Sequence, residues 1–207
     1  MKIVTVLRSG GVYKPEHVKA LYDQCQKYSP QTEFICISDT EGVPGYLKMK
    51  NNWPTWWGKM ETFLIKGPVL YLDLDTIVLK TLNPILDAVK RNPFTCLRDF
   101  YKDAKMERTV GSGIMAWSDD MSFIHDEFAK NPEKNMAECT TPRWWGDQGF
   151  IEKQVKKPAY WQDVVPQKIV SWKVHCKHNI PPEAHIIAFH GKPKPWEETV
   201  TKRFIQK

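Results

Sequence analysis

Gly67-Pro-Val69-Leu-Tyr-Leu72-Asp73-Leu-Asp75-Thr76 sets an apolar, strand-length run directly before a pair of carboxylates. A short unbroken run of Val, Leu and Tyr behind a Gly-Pro stop is the pattern of a buried strand. Strand side chains alternate, so Asp73 and Asp75 are predicted to leave one face together while Leu74 turns to the core. In open α/β sheets ligands bind outside the carboxyl ends of the strands, which makes this end the place to expect chemistry. Two hard oxygen ligands suit Mg²⁺ or Mn²⁺ shared with a diphosphate. Alone, a D-x-D pair is a weak motif, because ordinary solvated strand ends also carry it.

The flanking sequence predicts a sheet for this strand to join. Ile3 to Leu7 reads as a first buried strand, and Arg8-Ser-Gly-Gly opens a loop. Pro15 starts a helix on which Val18, Leu21, Tyr22 and Cys25 share a face, and Phe34 to Asp39 gives a second strand. A helix over Thr55 to Lys66 carries Trp56, Met60, Phe63 and Leu64 on one side. Further along, Asn83-Pro84 caps a short helix, Phe94 to Leu97 and Val110 to Trp117 are strands, and Ser118-Asp-Asp120 starts a helix that Asn131-Pro132 ends. Another helix begins near Gly146-Asp147, and Ala184 to His190 is a last strand. The alternation of strand and helix predicts an α/β fold with a mostly parallel central sheet, in a single domain over residues 1–207.

Composition narrows the class. With 42% hydrophobic and 26% charged residues the chain is globular, neither disordered nor fibrous. Cys25, Cys36, Cys96, Cys139 and Cys176 are odd in number and contain no C-x-x-C pair, against a disulfide framework or a zinc module. His175-Cys-x-His178 has zinc-binding residue types at a spacing no standard site uses. No apolar stretch approaches the roughly 20 residues that span a bilayer, and the N-terminus lacks a secretory pattern, so a cytoplasmic setting is expected. The net charge of +6 suits an anionic partner or a solvated lysine surface and leaves contact with a membrane surface open. Nucleic acid is not expected as a partner.

Several blocks, in order, resemble one known family. They are Trp57-Gly-Lys59-Met-Glu-Thr-Phe-Leu-Ile, then Leu-Tyr-Leu-Asp73-Leu-Asp75 with Leu82-Asn-Pro, then Gly111-Ser-Gly-Ile-Met-Ala-Trp117, Trp145-Gly-Asp147-Gln148-Gly-Phe, and Phe189-His190-Gly191-Lys-Pro-Lys194-Pro-Trp196. Together they resemble the donor-site region of glycosyltransferase family 8, the group of glycogenin and the bacterial lipopolysaccharide galactosyltransferases. That resemblance implies a GT-A fold and transfer, with retention, from a nucleotide-sugar donor such as a UDP-hexose. It also implies a Mn²⁺ or Mg²⁺ ion held by Asp73, Asp75 and a C-terminal histidine. Lys59 and Lys194 would face the donor phosphates, Asp99 would touch the donor sugar, and Leu7, Arg8, Leu74, Ser112 and Gly191 would lie along the donor. Asp147 and Gln148 would have a catalytic role beneath the sugar, as nucleophile or as ion-pair stabiliser. The acceptor, whether glycan, lipid-linked or protein, is not specified.

Three points stay open in the sequence. The family pattern H-x-x-G-x-x-K-P-W, aligned on Gly191 and Lys194, puts Ala188 at the ligand position, with His190 two residues further on. His190 is expected as a displaced ligand, or as a contact to phosphate or acceptor with water completing the shell. Tyr13 could stack on the nucleobase or be an ordinary loop residue. A nucleotidyltransferase of related fold and a non-catalytic glycan-binding relative are the alternative functions.

Overall fold

β1 (Lys2–Leu7), α1 (Pro15–Tyr28) and β2 (Glu33–Ser38) form a β-α-β unit, with the two strands parallel over their whole length. The protein is seen here as a computed structural model that describes residues 1–100 and 110–197. Next come β3 (Tyr46–Lys48), a 3-10 helix (Thr55–Leu64), β4 (Val69–Leu72) and β5 (Thr76–Val78). α2 (Asn83–Val89), β6 (Phe94–Arg98), β7 (Val110–Trp117), α3 (Ser122–Lys130), α4 (Pro132–Ala137) and α5 (Gly146–Gln154) follow. The last described part holds β8 (Ala159–Tyr160), α6 (Trp161–Val164), β9 (Ile169–Ser171), α7 (Trp172–His175) and β10 (Ile186–Ala188).

The main sheet has strand order β3-β2-β1-β4-β7-β6-β8. Among the described strands in it, β7 alone runs against its neighbours, so the sheet is mostly parallel as expected. Alternate residues of β4 enter two different cores: Leu70 and Leu72 pack with Ile3, Leu7 and Leu21, whereas Val69 and Tyr71 pack with Met60, Phe63 and Trp117. A sheet covered on both faces requires this unbroken apolar run. A second sheet, β5-β10-β9, brings the C-terminal part back beside the acidic pair, with Ala188 opposite Thr76.

The short elements β3, β5, β8, α6, β9 and α7 are not expected from the sequence, and four expected elements differ in detail. The segment after Pro54 is a 3-10 helix, in which residues three apart eclipse. Every residue from Trp57 to Phe63 is buried, with Trp57, Met60 and Phe63 in the apolar core, while Trp56 is 47% exposed. β4 ends at Leu72, so Asp73 and Asp75 stand in a tight turn, closed by Thr76 N donating to Asp73 O at 3.1 Å. α3 starts at Ser122, whose N–H donates to Asp120 Oδ1 at 3.0 Å, and not at Ser118. The final strand covers only Ile186–Ala188, leaving His190 in the loop beyond it.

Candidate active site

One cavity of about 760 Å³ opens at the carboxyl ends of β1, β4 and β6. The turn after β4 delivers Asp73 and Asp75 to it, and Asp73 N donates to Gly113 O at 2.9 Å, tying the turn to β7. Pairing of β7 with β6 shifts between Cys96 and Leu97, a bulge that leaves Ser112 and Gly113 to face the cavity. A Cβ on Gly113 would lie 3.2 Å from Asp73 Oδ2, so glycine makes room for that carboxylate. The first turn of α5 presents Asp147, where helix N–H dipoles favour a negative charge.

These elements meet at Lys59. Its ammonium lies 2.7 Å from Asp147 Oδ2 and 3.1 Å from Asp73 Oδ1, and it donates to Ser112 Oγ at 3.1 Å. Ser112 Oγ in turn donates to Asp147 Oδ2 at 2.7 Å, and Tyr71 donates to Asp73 Oδ1 at 2.5 Å. Burial opposes the lysine's charge, but Asp147 and then Asp73 outweigh it and hold the ammonium above its ordinary value. Burial pushes the Asp73 carboxyl up to about 6; Lys59 pulls against this, while Asp75 and Asp147 add to it.

A second cluster surrounds Asp75, whose side chain is 4% exposed. Lys194 forms an ion pair with Asp75 Oδ2, and the Tyr13 hydroxyl donates to the same oxygen at 3.0 Å. The Tyr13 ring carries the Lys194 ammonium 5.1 Å from its centroid and meets Trp196 edge-on at 5.8 Å. Tyr13 is thus clamped to the C-terminal segment and is not an open loop residue. Burial, followed by Asp75 and Asp73, drives its hydroxyl pKa upward, so the phenol stays a donor.

Of the residues singled out from sequence, Arg8, Tyr13, Lys59, Asp73, Leu74, Asp75, Asp99, Ser112, Asp147, Gln148, His190, Gly191 and Lys194 all line this cavity. Leu7 does not. It is 1% exposed and packs in the core, while its neighbour Val6 faces the cavity, as strand alternation requires. His190 is on the wall, but its Nε2 lies 2.7 Å from Ser171 Oγ and its ring stacks on Phe100. Burial, then Lys173, holds its imidazole below the usual value.

Asp73 and Asp75 have the hard-oxygen chemistry of a divalent-cation site and share one wall, so they fit such an ion. Among the described residues no group of three His, Cys, Asp or Glu side chains that could hold a metal ion is formed.

Sequence reasoning missed Asp39 and Trp56. Asp39 sits past the end of β2, pairs with Arg8 and accepts from Ser9 N at 2.9 Å and Ser9 Oγ at 2.6 Å, fixing the loop behind β1. A polar residue at the end of a strand parallel to β1 was the available signal. Trp56, with Trp145 at 50% exposure, forms an aromatic rim to the cavity beside Asp147.

The architecture, a mostly parallel seven-stranded sheet in an α/β fold, is that of the GT-A glycosyltransferases. Galactosyltransferase LgtC, in complex with donor and acceptor sugar analogs, superposes with a TM-score of 0.64 at 13% identity, over 100% of this chain and 94% of LgtC. The glycosyltransferase GlyE of Streptococcus pneumoniae TIGR4 gives 0.67 at 15% identity, over 95% of this chain and 57% of GlyE. The bifunctional glycosyltransferase WbbM gives 0.59 at 12% identity, over 99% of this chain and 49% of WbbM. No protein-family model matches the chain, and no curated protein matches it in sequence. Among the described residues no helix is long and apolar enough to cross a membrane.

Proposed function

We propose that the chain is a glycosyltransferase that takes a sugar from a nucleoside-diphosphate donor, of the UDP-hexose type, and passes it with retention to an acceptor hydroxyl. The observation that carries this reading is the meeting, in one cavity, of Asp73, Asp75, Lys59, Lys194, Asp99 and Asp147 from widely separated parts of the chain. A plain glycan-binding module has no need of two buried lysine-carboxylate clusters, since buried charges are costly to assemble. The fold shared with a galactosyltransferase solved in complex with donor and acceptor sugar analogs supports the same reading.

Separating a sugar from a nucleoside diphosphate builds negative charge on the leaving phosphate. Lys194 lines the cavity and would neutralise that charge, the point at which electrostatic catalysis acts. Asp73 and Asp75 would hold a Mn²⁺ or Mg²⁺ ion, which supplies further charge stabilisation when bound. Asp147 is held by Lys59 and Ser112; with Gln148 beside it, its carboxylate would act beneath the sugar as nucleophile or ion-pair stabiliser. Trp56 and Trp145 offer flat apolar faces where an acceptor sugar would enter.

Incubation with UDP-hexoses and Mn²⁺, followed by product analysis, tests the proposal. Release of UDP with the donor's anomeric configuration kept in the product supports it. Cleavage of a nucleoside triphosphate to pyrophosphate instead would identify a nucleotidyltransferase, and an inverted product would remove retention.

A further inference from the structure

The corner around Asp75 holds a cation supplied by the chain itself. β10 runs antiparallel to β5 with Ala188 opposite Thr76, so position 188 is the point on that strand nearest Asp75. A methyl group there offers no ligand. The Lys194 ammonium pairs instead with Asp75 Oδ2 and also donates to the Tyr13 hydroxyl at 3.1 Å. The segment bearing Lys194 is anchored: Lys194 N donates to Glu197 Oε1 at 2.9 Å, and Trp196 stacks on His17 of α1 with centroids 3.7 Å apart. At 16% exposure for the lysine side chain and 4% for the carboxylate, the pair is largely withdrawn from solvent screening.

We infer that Lys194 and a divalent ion compete for the Asp75 carboxylate, and that a nucleoside diphosphate relieves the competition by drawing the ammonium onto its phosphates. This rests on the nucleotide-sugar reading above. Two cations cannot share one poorly solvated carboxylate without strong mutual repulsion. An ion entering alone must displace Lys194 and leave it unpaired. An ion entering with a diphosphate gains phosphate oxygens as ligands, and the lysine keeps an anionic partner. Ion and nucleotide therefore bind with positive coupling, and linkage makes that coupling reciprocal. Lys194 then acts twice: as a gate against metal in the free protein, and as a phosphate contact in the loaded one.

The test is Mn²⁺ binding to the full chain by electron paramagnetic resonance of free Mn²⁺, at neutral pH, with Mn²⁺ as the sole ligand and again with UDP. In the absence of UDP, Lys194→Gln is expected to bind Mn²⁺ at least about 10-fold more tightly than the parent, a coupling of ordinary allosteric size. Lys194→Arg, which keeps the charge, is expected to bind as weakly as the parent. Should either variant unfold, Trp196→Ala, which releases the anchored segment, is expected to tighten Mn²⁺ binding in the same direction. Unchanged or weaker Mn²⁺ binding by folded Lys194→Gln without UDP would overturn the inference. Failure of UDP to bind any of these proteins would instead count against the nucleotide-sugar reading, while leaving the Mn²⁺-only comparison to decide the gate.

Discussion

Lys59 Nζ lies 2.7 Å from Asp147 Oδ2, with the lysine side chain 6% and the carboxylate 10% exposed. The same ammonium reaches Asp73 at 3.1 Å, so one buried cation holds the turn after β4 against the first turn of α5.

Removing that cation leaves two carboxylates without their partner. Lys59→Met is expected to lower stability by about 3 to 5 kcal/mol, the cost of breaking a buried ion pair on one side. Urea denaturation checks this. A loss under about 1 kcal/mol would mean the cluster is solvated and weak.

Asp73 gives a pH signature. Its folded-state value of about 6 is above the unfolded carboxyl value of 3.8, so the folded protein holds this proton more tightly. The stabilising contribution is complete below the unfolded value and is lost as pH rises through about 6. Asp73→Asn removes the titration, so the variant's stability relative to the parent should rise between pH 4 and pH 7. A difference that stays flat across that range contradicts the assignment.

The Asp39 carboxylate is a positioning group for the loop behind β1. Asp39→Ala is expected to weaken UDP binding about 10-fold by calorimetry, the usual scale for losing a supporting contact. The global unfolding midpoint should move little, because the loop is outside the core. Undiminished UDP affinity would show that Arg8 and Ser9 keep their places without Asp39.

Gly146 has φ +60°, and a Cβ there would lie 3.1 Å from Trp56 Nε1. Gly146→Ala is expected to cost about 1 to 2 kcal/mol for left-handed backbone strain, and to displace Trp56 from the rim. Thermal denaturation and the indole N–H shift of Trp56 in NMR spectra measure the two effects. A neutral substitution would mean the turn relaxes freely.

How far the sequence reveals this molecule depends on the range of the interactions. The β-α-β start and β4 were legible because burial on both sheet faces demands unbroken apolar runs, visible in any window. The acidic pair was legible by its place after such a run, yet its presentation was not. Alternation implied a strand through Asp75, whereas the bond from Asp73 N to Gly113 O and the closing of Thr76 N on Asp73 O turn the chain at once. Trp56 was read as buried in place of Trp57 because helical and 3-10 periods diverge within two turns. Leu7 and Val6 exchanged places for the same kind of reason, a parity that a single strand does not disclose. The Lys194 to Asp75 pair spans 119 positions and has no local signature at all.

In the proposed reaction this cavity binds a nucleoside diphosphate through the acidic turn and its lysines. The most direct test of this is a calorimetric titration of UDP, with Mn²⁺ present, into the parent chain and into Asp75→Asn. Saturable binding to the parent is expected, with at least about 10-fold weaker affinity for the variant, whose fold is retained. Equal affinity in the two proteins, or no binding of UDP to the parent at any Mn²⁺ concentration, would contradict it.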